Sequence, residues 1–140
     1  MDLEPSQHAD HLLKKLLSIW DIEKHYWYPL YDCKRSDVIA FNADYIEDIE
    51  SKVLDIQNFL LSQNNDRIFE MQEDRTIQMI ETTSLDPSYD GHYGERFWFN
   101  EDMNWVIYAS HEGSITFGGQ ELISALKDKW QDWAANVFLC

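Results

Sequence analysis

The chain is poor in the residues that staple, break or loosen a fold. It has 2 Cys, 3 Pro and 5 Gly in 140 residues. Cys33 and Cys140 make no disulfide framework and lack metal-ligand spacing. So few Pro and Gly leave little room for a long flexible linker. Positive charge is also scarce: 11 Lys and Arg stand against 26 Asp and Glu, a net of −15 at pH 7. Direct nucleic-acid binding is therefore disfavoured, because neutralising phosphates needs Lys and Arg. Anionic membranes are disfavoured for the same reason. No window approaches the ~20 apolar residues of a membrane span. The opening MDLEPSQ has neither the basic nor the apolar region of a secretory signal. Cytoplasm is the expected compartment. A P-loop, a dinucleotide fingerprint, an H-E-x-x-H pair and a nucleophile elbow are all missing. No fixed-period repeat is visible, and no cofactor is expected.

What is present argues for an ordered domain. Hydrophobic content is 44% and aromatic content 14%, well away from disorder. At this length one domain, residues 1–140, is the simplest organisation, and it buries roughly two-thirds of its unfolded surface. The acidic balance favours a basic partner through complementary potential. Solubility alone is the competing account of the same charge.

The chain is organised around Glu95–Gly119, ERFWFNEDMNWVIYASHEGSITFGG. Three short strands are expected: Phe97–Phe99, Trp105–Ala109 and Ile115–Phe117. Turns at Asn100–Asp102 and Ser110–Ser114 join them. Phe97, Trp98 and Phe99 send aromatic rings to both faces of one strand. Either that sheet is covered on both sides or an aromatic patch is exposed. A patch rimmed by acids would bind protein.

Amphipathic helices flank the meander. In the first, capped near Ser6, the apolar stripe is Ala9, Leu12, Leu13, Leu16, Leu17 and Trp20. His8 and His11 lie on its wet face. HYWYPL, 25–30, and Val38–Phe41 read as short strands that could form a hairpin. The second helix is expected over 44–61, on Ile46, Ile49, Val53, Ile56 and Leu60. Asp44 and Glu47 stand where a capping box wants them, and Asp55 is expected to face solvent. Arg67–Gln72 and Arg75–Glu81 follow as two strands. The last helix starts near Gln120, with Leu122, Ile123, Leu126, Trp130 and Trp133 inward and Lys127 and Lys129 at the favourable end of its dipole. The tail 137–140 is apolar and either docks or frays. The expected fold is therefore α+β: an antiparallel, mostly meander sheet packed by helices near the N-terminus, middle and C-terminus.

Chemistry is thinly signalled. Thr82–Gly94 is the longest irregular stretch, a length that often carries function. Asp86, Ser88, Asp90 and Gly91 copy the opening of a calcium loop, but the twelfth position is Phe97, where a bidentate Glu belongs. Ser110-His111-Glu112 sounds like a triad, yet neighbours in sequence point apart, and the run reads as a turn with Gly113 at its tight position. His111 as a general base stays open beside that reading.

The run FWFNEDMNWVIYASHEGSITFGGQELISALKDKW resembles the C-terminal part of small bacterial immunity proteins that neutralise polymorphic or contact-dependent toxins. The resemblance covers about the last third of the chain. It implies a non-enzymatic inhibitor of one cognate toxin domain. Many such toxins are basic nucleases, and their inhibitors are often acidic. The partner contacts expected on that reading are Asp86, Asp90 and Glu95 in the long loop, with Glu101 and Asp102 at a meander turn. Two other readings stand beside it. One is a small-ligand or enzymatic domain with a site under the 82–94 loop and His111 as base. The other is an assembly subunit that forms a stable homo-oligomer.

Overall fold

The structure is a computed structural model that describes residues 5–22 and 35–138. The two cysteines and the HYWYPL strand lie outside the described residues. The fold is α+β. Six strands form one antiparallel sheet: β1 (Val38–Asn42), β2 (Arg67–Met71), β3 (Ile77–Glu81), β4 (Arg96–Phe99), β5 (Val106–Ala109) and β6 (Ser114–Gly118). Their order across the sheet is β1-β6-β5-β4-β2-β3. The last three strands in sequence make the expected meander, and β2–β3 is a hairpin. The described partner of β1 is β6, with Val38 opposite Gly118. On its other side Val137 bridges Phe41 and Phe138 N–H donates to Ala40, so the start of the tail docks on that edge.

Helices α1 (Pro5–Trp20), α2 (Glu50–Ser62) and α3 (Gln120–Lys129) cover the sheet from both sides. On one face Leu12, Leu16 and Trp20 of α1 pack on Phe69, Phe99, Val106 and Tyr108. On the other, Ile56 and Leu60 of α2 join Leu122, Ile123 and Leu126 of α3 over Ile68, Trp98, Ile107 and Phe117. The alternation at Phe97–Phe99 is thus answered by a sheet with two covers. Trp98 turns to the α2–α3 side and Phe99 to the α1 side, and both are fully buried.

Glycines set two close approaches. A Cβ on Gly118 would sit 2.9 Å from the Trp20 ring, so the bare backbone lets the end of α1 seat on β6. Gly119, with φ of 115°, is where the strand actually stops.

Four expectations are corrected. The second helix starts at Glu50, not Asp44. A 3-10 turn at Ala43–Tyr45 and the left-handed Asp48 precede it, so Tyr45 and Ile46 enter the core ahead of the helix. The expected capping box therefore does not form: Ile49 is the N-cap, and Glu47 accepts the Tyr89 N–H instead. Asp55 has a partner, the Trp130 indole N–H at 3.0 Å, which ties α2 to the end of α3. Trp133 lies beyond α3, in a 3-10 turn at Trp133–Asn136, half-buried against the same core.

Candidate functional site

Antiparallel pairing gathers sequence-distant turns at one end of the sheet. The β2–β3 turn and the β5–β6 turn lie there, and the 82–95 loop, which starts at the opposite end where Thr82 N–H donates to the Asp66 carbonyl, finishes there. They bring Glu73, Asp74, Asp86, Asp90, Glu95 and Glu112 to a single rim. Glu101 and Asp102 fall elsewhere, past the far end of β4. There Glu101 accepts from His8 at 2.6 Å and its carbonyl accepts from Lys15, so α1 is tethered to the β4–β5 turn. The five acids expected to share a surface are split between opposite ends of a strand.

The long loop is held by an ion pair inside the sheet. Glu70 and Arg96 face the α2–α3 side with Trp98, and each side chain is only 10% exposed. The Arg96 guanidinium lies 3.6 Å from Glu70 Oε2, and the Trp98 indole donates to the same oxygen at 3.0 Å. Arg96 then reaches out and donates to the Ser88 carbonyl at 2.7 Å. It also lies over the Trp98 ring at 4.8 Å, a desolvated cation–π contact. Beneath the loop Leu85 is buried in the core, and Gln57 donates to its carbonyl. Distant carboxylates meet two of the loop's N–H groups, Glu47 that of Tyr89 and Glu73 that of Glu95, and other groups are met locally. Asp90 accepts from His92 N–H, Ser88 Oγ donates to Asp86, and Gly94 N–H donates to the Asp90 carbonyl. The acids that copied a calcium loop are thus occupied with turns. Among the described residues, no group of three or more His, Cys, Asp or Glu is arranged to hold a metal.

What the loop presents outward is aromatic. Tyr89 and Tyr93 are 41% and 45% exposed, large for tyrosines on an ordered loop. They border an open cleft of about 300 Å³ with Glu73, Asp74, His92 and Gly94. A Cβ on Gly94 would meet Glu73 at 2.9 Å, so glycine there lets the loop close on the β2–β3 turn.

Beside the cleft, Glu95 accepts from the His111 backbone N–H at 3.0 Å and from its Nδ1 at 2.8 Å. His111 Nε2 lies 3.1 Å from Glu112, so both ring nitrogens face a carboxylate. Burial raises the pKa of Glu95 above the ordinary value. The His111 and Tyr108 hydrogen bonds pull the other way, and Glu73 and Glu112 add to the rise. Burial first, and Glu95 second, push the Tyr108 phenol up. The Ser110–Ser114 run is a turn, with Gly113 at φ 86° and the two serine hydroxyls 2.7 Å apart.

Glu73, Asp74, Glu112 and the two tyrosines escaped sequence reasoning as one surface, because only the strand order unites their turns. A local signal existed for the buried pair. Glu70 alternates with Ile68 and Arg96 with Trp98, and a charge on a buried strand face asks for a partner. No family model, curated protein or solved structure matches this chain.

Proposed function

We propose that the chain is a non-enzymatic inhibitor that binds and neutralises a basic toxin domain, in the manner of the immunity proteins its last third resembles. The observation that carries this reading is the sheet end at Tyr89 and Tyr93. Two exposed aromatic rings stand among Glu73, Asp74, Asp86, Asp90 and Glu112, on a loop anchored by Arg96. Exposed tyrosines on a rigid support bind at low entropic cost. Carboxylates around them steer a basic partner and discriminate against acidic ones. The net charge of −15 extends that field over the whole molecule.

The test is capture from native lysate on immobilised wild-type chain and on an Asp86→Lys/Glu112→Lys variant, washed at low and then high salt. The reading predicts one basic protein held stoichiometrically by the wild type, released by salt and poorly held by the variant. Capture that ignores both salt and the reversed charges would move the interface elsewhere on the chain.

A further inference from the structure

The β3 edge of the sheet is built to accept another strand. Gln72 N–H donates to the Thr76 carbonyl and Thr82 N–H donates to the Asp66 carbonyl. These bonds fix the alternation of the β2–β3 ladder, since opposing residues in an antiparallel pair are bonded two by two. Thr76, Gln78, Ile80 and Thr82 turn their backbone groups to β2. Ile77, Met79 and Glu81 turn theirs outward, where β3 has no neighbouring strand among the described residues. Open edges are ordinarily blunted with Lys, Pro or a bulge. Here IQMIE carries neither residue, and its register with β2 runs unbroken from Ile77 to Glu81. Met79 is 54% exposed at the centre of the strand, beside Phe69 on the α1 side, where α1's cover ends.

We infer that β3 is a docking edge for an extended segment of a basic partner protein, paired by backbone hydrogen bonds with Met79 as its apolar contact. The inference rests on the inhibitor reading and gives it a binding mode. Charge selects the occupant. At the edge itself Glu81 is paired with Arg67 at 3.2 Å and Arg75 stands just before Ile77, so the selection comes from the net charge of −15, whose field favours Lys or Arg on the incoming strand over Asp or Glu. A second copy is the poorer occupant. It brings another −15, and an antiparallel pairing centred on Met79 sets each Glu81 against Ile77 with no charge gained.

The probe is an eight-residue peptide alternating Lys and Val, with an Asp/Val peptide as control. Amide hydrogen exchange is read by NMR on the wild-type chain with each peptide. The Lys/Val peptide is expected to slow exchange at Ile77, Met79 and Glu81 about tenfold, with a weaker effect at high salt. Met79→Pro removes an N–H that the ladder does not use, so the sheet is retained while peptide affinity falls about tenfold; Met79→Ala keeps the N–H and most of the binding. Unchanged exchange at those three amides overturns the inference, and that readout needs no variant to fold. Equal binding of the Asp/Val peptide, or protection of the same amides by self-association without peptide, also overturns it. A captured toxin neutralised equally by wild type and Met79→Pro removes the edge while leaving the inhibitor reading intact.

Discussion

Arg96 does two jobs with one side chain. It neutralises Glu70 inside the sheet and holds the 86–88 carbonyls outside it. Replacing it with Met leaves a carboxylate in the interior facing only Trp98 and Gln78. Breaking a buried pair in this way costs about 3 kcal/mol or more. Urea denaturation of Arg96→Met should show that loss, with faster exchange confined first to 86–95. A loss below about 1 kcal/mol would mean the pair is weakly coupled to the fold.

Glu95 gives a pH signature. Its folded pKa lies above the ordinary 4.5, chiefly through burial. A raised carboxyl pKa means that the folded state prefers the neutral form. That preference stabilises fully below 4.5 and is lost as pH climbs through the folded value. Glu95→Gln is neutral throughout, so its stability relative to wild type should rise as pH increases from 4.5. Paired melts across that window check the sign. A difference that stays constant with pH would contradict it.

Among the elements, the apolar stripes of α1 and α3 and the three meander strands were legible in the sequence, because periodicity and turn residues are local. The start of α2 was not. Asp44 and Glu47 have capping spacing, but the buried Tyr45 and Ile46 and the left-handed Asp48 override it. Asp55 looked like a solvated acid because its partner, Trp130, is 75 residues away. Its role predicts a specific cost. Asp55→Ala leaves the Trp130 indole without its acceptor and should destabilise by about 1–2 kcal/mol, while Asp55→Asn, which keeps an acceptor oxygen, should cost less. Thermal denaturation of the two variants decides; equal losses would locate the effect in charge instead. The candidate site was half legible for the same reason. Asp86, Asp90 and Glu95 belong to one loop, but Glu101 and Asp102 share with them only a strand, and they sit at its other end.

For the whole molecule the consequence is kinetic. A net charge of −15 over the chain, with Glu73 and Asp74 beside exposed tyrosines at one sheet end, should accelerate encounter with a basic partner. The Asp86→Lys/Glu112→Lys variant should associate about tenfold more slowly at low salt, and the difference should shrink as salt rises. Glu101→Lys/Asp102→Lys, at the far end, should slow association less. Stopped-flow rates over a salt series would separate the two ends, and equal slowing would point to net charge without a localised face.

The inhibitor reading itself is tested most directly by titrating the activity of the captured partner with the purified chain. The account predicts activity lost in proportion to added chain, complete at one-to-one, and restored in part by the Asp86→Lys/Glu112→Lys substitutions. A stoichiometric complex in which the partner keeps full activity would contradict it.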